Sequence, residues 1–313
     1  MIDSASRRLP VDSRAFLTML ALCLAWGLQQ VAVKSIVDSV TPVMQGGIRS
    51  VIAVLLLSCW ALWRRTPLFS QDGTLAAGLI AGSLFGIEFV FIYAGLGHTT
   101  ASRMSVFVYL APPLTALGLH LFVPGERLSP RQWIGVALAF TGILVAFGEG
   151  FVSARGATAK GDLFGIAAAA LWAATTVIIR STALSAASAE KTLFYQIGMS
   201  ALILPLASIA IGEAGVIAVT PKVILSLAYQ SIVVAFASFL AWFWLLTRYL
   251  AGRLAVFSFL TPLFGVVFGI VLLGEPITPV FVAAALLVGL GIALVNRSTL
   301  LSRELPAPGR IDA

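Results

Sequence analysis

The sequence predicts an all-α polytopic membrane protein: ten transmembrane helices forming two inverted five-helix repeats. Three observations predict this. The composition is too apolar for water, the apolar residues fall into ten runs separated by short polar breaks, and a set of residues recurs at a nearly constant spacing between the two halves. Hydrophobic residues make up 59% of the 313 and charged residues 11%, with a mean hydropathy of +1.01. A soluble domain carries about 25% charged residues. A chain of this length could not bury so much apolar surface within itself, so the excess must face lipid.

The elements follow in order, each needing roughly 20 apolar residues to span. The first run, 15–37, follows Arg7, Arg8 and Arg14. It reads as a spanning helix with a cytoplasmic flank and not as a signal peptide, because no small-residue cleavage site precedes the polar break at Lys34. The second, 42–63, ends in Trp60 and Trp63, residues suited to the membrane interface. The third, 74–96, contains Glu88, and the fourth, 102–123, contains Pro112 and Pro113. The fifth, 131–148, opens beside Trp133, and the sixth, 161–182, carries Trp172. The seventh, 192–212, bears Tyr195, Gln196 and Ser200, and the eighth, 222–247, closes beside Tyr249. The ninth, 254–274, contains Pro262, and the tenth is 278–296. In lipid every such segment must satisfy its own backbone hydrogen bonds, so each is a helix. The domain plan is a cytoplasmic tail 1–14, repeats at 15–148 and 161–296, and a cytoplasmic tail 297–313.

Charge fixes the orientation. With the N-terminus inside, the inside segments carry Arg7, Arg8, Arg14, Arg64, Arg65, Arg127, Arg131, Arg180, Lys191, Arg248, Arg253, Arg297, Arg303 and Arg310. The outside segments carry only Lys34, Arg103, Arg155, Lys160 and Lys222, and Arg49 lies within a helix. That asymmetry is the positive-inside pattern, and a miscounted helix would spoil it. The net charge of +7 is therefore read as topology and not as nucleic-acid binding, for which no motif is present. Cys23 and Cys59 lie inside apolar runs and imply no disulfide framework.

The repeat is visible residue by residue. Gly125-Glu126-Arg127-Leu128-Ser129-Pro130 recurs as Gly274-Glu275-Pro276-Ile277-Thr278-Pro279. Gly142-Ile143 matches Gly291-Ile292 at the same spacing. Arg103, Val106, Phe107, Leu110 and Pro112 match Arg253, Val256, Phe257, Leu260 and Pro262, while Trp26 matches Trp172 and Lys34 matches Arg180. Five helices per half is odd, so the halves are inverted, an arrangement common among secondary transporters with a midplane site.

These features together resemble the drug/metabolite transporter superfamily in its EamA branch: Trp26-Gly27, Tyr93-Ala94-x-Leu96, prolines inside helices four and nine, and Gly-Glu after them. Within that branch the chain is most similar to the YddG-type amino-acid exporters. The resemblance covers nearly the whole chain and implies a basket-like fold. It further implies a central cavity lined by helices one, three, four, six, eight and nine, and export of amino acids, aromatic ones included. Ala173 departs from the glycine expected after Trp172, which questions close helix packing there.

Candidate site residues follow from chemistry. Of the acidic residues, Glu88 alone lies deep in a helix, where a charge costs roughly 2.5–3.5 kcal/mol on insertion scales. It reads either as a substrate or proton site, with Phe85 and Ile92 on its face, or as half of an ion pair with Arg49. Arg49 is equally open to a substrate carboxylate. Trp26 with Gln29 and Gln30, and Trp172 with Thr175 and Thr176, give each half an aromatic wall beside polar groups. Ser105 and Tyr109, then Ser238, Phe239 and Trp242, and finally Ser258 complete the expected cavity. Pro112, Pro113 and Pro262 are expected kinks or hinges. Glu126 and Glu275 read as capping or loop residues, and His98 and His120 as lone histidines. No HExxH, GxSxG, paired aspartates or Walker motif occurs, so the expectation is a monomeric secondary transporter, not an enzyme. Its only expected partners are the bilayer and a small-molecule substrate, with no metal or cofactor. Carriers of phosphorylated sugars, nucleotide-sugars or cationic drugs are the alternatives, and an intramembrane enzyme the remote one.

Overall fold

The computed structural model describes residues 12–123, 127–153, 158–249, 257 and 260–301. Its helices are α1 (Ser13–Lys34), α2 (Pro42–Arg64), α3 (Leu75–Leu96), α4 (Ala101–Val108), α5 (Ala111–Phe122) and α6 (Pro130–Ser153). They continue as α7 (Ala159–Ser181), α8 (Ala189–Ala210) and α9 (Pro221–Ala228). A π-helical stretch, Tyr229–Ser238, joins α9 to α10 (Phe239–Arg248); α11 (Leu260–Leu273) and α12 (Pro279–Leu301) follow. Eight of the resulting segments are long and apolar enough to cross a membrane, with α4–α5 and α9 plus the π stretch each counting as one. Leu260–Leu273 and Pro279–Leu294 are apolar but shorter. The sequence predicts ten full spans; the ninth run is described continuously only from Leu260, and the tenth is helical over Pro279–Leu301.

The helix starts show how the sequence meets the demand for partnered backbone. Asp12 accepts from the Ala15 N–H at 2.8 Å, and Thr100 accepts from that of Arg103 at 3.1 Å. Two starts are capped from far along the chain. Glu213 accepts from the N–H groups of Val43 and Met44, both at 3.0 Å, at the start of α2. Glu275 accepts from those of Ala101 at 2.7 Å and Ser102 at 2.9 Å, at the start of α4. A carboxylate there meets both the orphan donors and the positive end of the helix dipole.

Pro112 and Pro113 begin a helix. The fourth run is interrupted at Tyr109 and Leu110, and Pro112 and Pro113 stand in the first turn of α5, where a missing N–H costs nothing. Pro262 stands two residues into the described part of α11, whose preceding residues 258–259 lie outside the described residues. The expected break in the fourth run is present.

Packing relates the halves. The most extensive pairing is α6 with α12, followed by α3 with α7 and α2 with α8; the first and third of these join corresponding helices of the two repeats. The contact of α1 with α11 is answered by that of α7 with α4 and α5. Small residues permit the tightest crossings. A Cβ on Gly27 would lie 2.8 Å from Phe264 Cβ and 2.9 Å from the Gly265 nitrogen. The recurring Gly142 and Gly291 face each other's helices in the α6–α12 contact. At Ala173 no glycine is needed, because α7 approaches α3 and α4 through Gly161 and Gly165 instead.

The two ends of the bundle differ. At the end bearing Lys34, Leu96, Ala101 and Glu275, every residue of α4 is buried. Toward the other end, Leu114 to His120 of α5 are all half-buried, whichever way they point.

Candidate functional site

At mid-depth, α1 meets the π-helical stretch. Trp26 donates from Nε1 to Ser238 Oγ at 2.9 Å, and its ring stands edge-on to Trp242 at 6.0 Å. Tyr229 donates to the Ala25 carbonyl at 2.7 Å. The π geometry is rare and recurs at functional sites, and here it places Gln230 fully inside the bundle. Tyr93 donates to Gln230 Oε1 at 3.0 Å, and Gln230 Nε2 donates to Gln45 Oε1 at 3.1 Å. Gln45 Nε2 in turn reaches the Val40 carbonyl at 2.9 Å. This relay ties α3, the π stretch and α2 together.

Beside it lie Arg49 and Glu88. The guanidinium carbon of Arg49 is 4.2 Å from the Phe89 ring centroid and 5.6 Å from that of Tyr93. The Arg49–Glu88 ion pair, one of the two readings of Glu88, is not formed: no oxygen of Glu88 comes within 4.0 Å of an Arg49 nitrogen. The reason is directional: Phe89 and Tyr93, one and five residues past Glu88, draw the guanidinium onto the adjoining face of α3. Gln29 is buried and lies beside Tyr93. Among the described residues, buried side-chain atoms without a hydrogen-bond partner are Gln30 Oε1, Arg49 Nε and Nη1, Glu88 Oε2, Thr175 Oγ1 and Thr261 Oγ1.

The remaining expected residues divide. Phe85, Ile92, Trp172 and Phe239 join one apolar cluster, and Tyr109 meets Trp172 edge-on at 5.7 Å. Thr176 bonds the Trp172 carbonyl of its own helix at 3.0 Å. Ser105 bonds the Ala101 carbonyl at 2.8 Å and abuts Gly265. Ser258 lies outside the described residues, as does Glu126. His120 accepts from the Leu128 N–H at 3.0 Å and so closes the turn after α5. Burial, then the charges of Lys160 and Lys34, push the His98 imidazole below its usual range, which keeps it neutral.

Above this site, toward the Glu275 end, sits a buried charge cluster. Arg103 binds Asp162 through Nη2 at 2.6 Å and Glu149 through Nη1 at 2.7 Å. Asp162 also accepts from Thr99 Oγ1 at 2.7 Å, and Glu149 from Thr278 Oγ1 at 3.2 Å. Lys34 donates to the carbonyls of Leu96 at 2.7 Å and Thr99 at 2.5 Å, closing the C-terminus of α3. Six segments, α1, the end of α3, α4, α6, α7 and the start of α12, thereby meet in one hydrogen-bonded layer.

A model of the EamA-like transporter family matches this chain twice, at residues 13–148 and 159–297. The chain belongs to the EamA-like transporter family. This EamA chain is 28% identical over 286 residues to a "Probable amino-acid metabolite efflux pump" of Salmonella typhimurium, covering 88% of this chain and 92% of that one. It is 27% identical over 271 residues to an "Uncharacterized transporter" of Archaeoglobus fulgidus, covering 85% and 91%. A crystal structure superposes with a TM-score of 0.65 at 23% identity, over 94% of this chain and all of the other, which shows the shared fold. The chain is thus a multi-helix membrane transporter.

In this EamA protein several central residues escape a reading by motif. Gln45 and Gln230 carry the relay, and Thr261 lies beside Tyr109 and Cys23. The signal available for the glutamines was simply an amide in an apolar run, which in lipid must find a partner. Arg103, Asp162 and Glu149 lie at helix ends, where charge is ordinarily cheap, so their assembly had no sequence signal.

Proposed function

We propose that this chain is a secondary transporter that exports amino acids, aromatic and other neutral ones, or closely related metabolites. It works by alternating access through the midplane site, across ten spans in two inverted halves with both tails cytoplasmic. The observation that carries this reading is the set of unpartnered polar atoms at mid-depth, led by Arg49 and Glu88 and flanked by the walls of Phe85, Ile92, Trp172 and Phe239. Buried polar groups are nearly always partnered, so such a set marks a place where a polar ligand or water belongs. Aromatic and aliphatic walls accept varied side chains, while a few polar groups fix orientation. The efflux-pump name of the Salmonella relative supports the same class.

In this orientation the Arg103–Asp162–Glu149 layer seals the outer face, and the half-buried α5 borders a path open to the cytoplasm. Substrate enters from inside, the outer layer parts, and the halves rock about the interruption at Tyr109–Leu110. A carrier of phosphorylated sugars would need several cations at mid-depth, and Arg103 and Lys34 are engaged elsewhere.

The test is uptake of a radiolabelled amino-acid panel into liposomes carrying the purified protein, without nucleotide. Saturable, competed uptake of several neutral or aromatic amino acids is expected. Absence of any uptake by folded protein overturns the substrate assignment. Glu88→Gln would then be tried with cationic drugs, whose transport it should abolish.

A further inference from the structure

Three cations are buried among the described residues: Arg49, Arg103 and Lys191. Two are fully matched. Arg103 meets two carboxylates and the Ala146 carbonyl. Lys191 binds both oxygens of Asp72 at 2.8 Å and the Ser70 carbonyl and hydroxyl at 2.9 Å. Arg49, 2% exposed, has no carboxylate within 4.0 Å, and its Nε and Nη1 make no hydrogen bond. A desolvated guanidinium without an anion is unfavourable, and a chain that matches its other buried cations so thoroughly leaves this one open.

The side chain is nonetheless fixed. It lies over the Phe89 ring and against Tyr93, which it also meets through its side chain, and Nε and Nη1 are left without partners. Tyr93 is itself anchored to Gln230, so the platform is rigid. Glu88 is the complementary orphan: 3% exposed, with Oε2 unpartnered, and the charge of Arg49 acts on it. Arg49 is seven residues from the start of α2 and Glu88 eight from the end of α3, so both lie about 10–12 Å below the Glu275 end at 1.5 Å per residue. Two side chains of opposite character, each with unpartnered atoms, therefore stand at one depth without a direct ion pair between them.

We propose that Arg49 and Glu88 are the two poles of a zwitterion site: the substrate carboxylate sits on Arg49 and its ammonium on Glu88. This rests on the amino-acid reading above and deepens it. A zwitterion completes both orphans at once, whereas an amine alone leaves the guanidinium bare and a carboxylate alone leaves Glu88 bare. The side chain of the substrate then projects toward the Phe85 and Ile92 cluster, and selectivity resides in the headgroup.

The experiment is competition against counterflow of a labelled neutral amino acid in liposomes, using the same amino acid, its amide and its deaminated acid. Wild type should take the amide and the deaminated acid about tenfold or more less well, the loss of one charge-assisted contact each. Arg49→Gln should erase the preference over the amide and keep that over the deaminated acid; Glu88→Gln should do the reverse. Arg49→Lys should retain part of the carboxylate preference. Should Arg49→Gln fail to fold, the wild-type competition and Arg49→Lys decide the matter. Wild type that carries the amino acid yet accepts both analogues equally overturns the two-pole site and leaves amino-acid export standing. Folded wild type that carries no amino acid overturns the export reading itself.

Discussion

Replacing Asp162 with asparagine tests whether the charge layer is a seal that opens. Asp162 is wholly buried and accepts from Arg103 Nε at 3.1 Å, from Nη2 at 2.6 Å, and from Thr99 and Thr158. Asn keeps the shape but removes the charge, so Arg103 retains Glu149 and the Ala146 carbonyl. Breaking a buried pair outright costs about 3–5 kcal/mol, and the surviving Glu149 argues for the low end, about 3 kcal/mol. If the layer exists only in the sealed state, that loss shifts the sealed-to-open ratio about 100-fold toward open. The assay uses Met104→Cys, a buried position beneath the layer against Gly95, in a chain lacking Cys23 and Cys59. An impermeant maleimide applied outside cells should label it about 100-fold faster in the Asp162→Asn background. An unchanged labelling rate in a variant with a lowered melting temperature would refute the reasoning, because the layer would then be static scaffolding.

Other outcomes follow from the same contacts. Gly27→Ala forces a methyl into the Phe264–Gly265 backbone and should destabilise by about 1–3 kcal/mol, read as a lowered melting temperature in detergent. Trp26→Phe removes the donor to Ser238 Oγ and should cost about 1 kcal/mol in the same assay. Gln230→Leu strands Tyr93 and Gln45 together and should cost about 2–3 kcal/mol, with transport slowed beyond what stability explains. The Lys191 ammonium and the Thr74 hydroxyl hold the Asp72 carboxyl well below the usual carboxylate range. A depressed pKa contributes stability above the unfolded value and loses it as pH falls. Asp72→Asn should therefore melt lower than wild type at neutral pH, and the gap should narrow on acidification below about pH 4.

What the sequence disclosed depended on whether a residue's constraint was local. Run edges were legible to within a few residues, 42–63 against Pro42–Arg64 for instance, because lipid imposes one rule on every residue of a span. Trp26-Gly27 was legible as a motif, though its reason, an indole bonded to Ser238 beside a backbone crossing, needed helices far apart in the chain. The contact of Ser105 with Gly265 was illegible for a related cause: a hydroxyl at helical spacing from Tyr109 looks identical in sequence whatever it faces. The charge layer was invisible because Arg103, Glu149 and Asp162 are each unremarkable at a helix end, and only their convergence makes them unusual.

The carboxylate caps have a temporal consequence. The start of α2 is completed by residue 213 and the start of α4 by residue 275. When the ribosome has delivered the first five helices, two of their N-termini still lack the groups that finish them. The leading half must therefore wait in the bilayer with exposed donors, held by water, lipid headgroups or the insertion machinery, until the trailing half emerges. The two halves expressed as separate polypeptides should each be short-lived, and should rescue one another when made together.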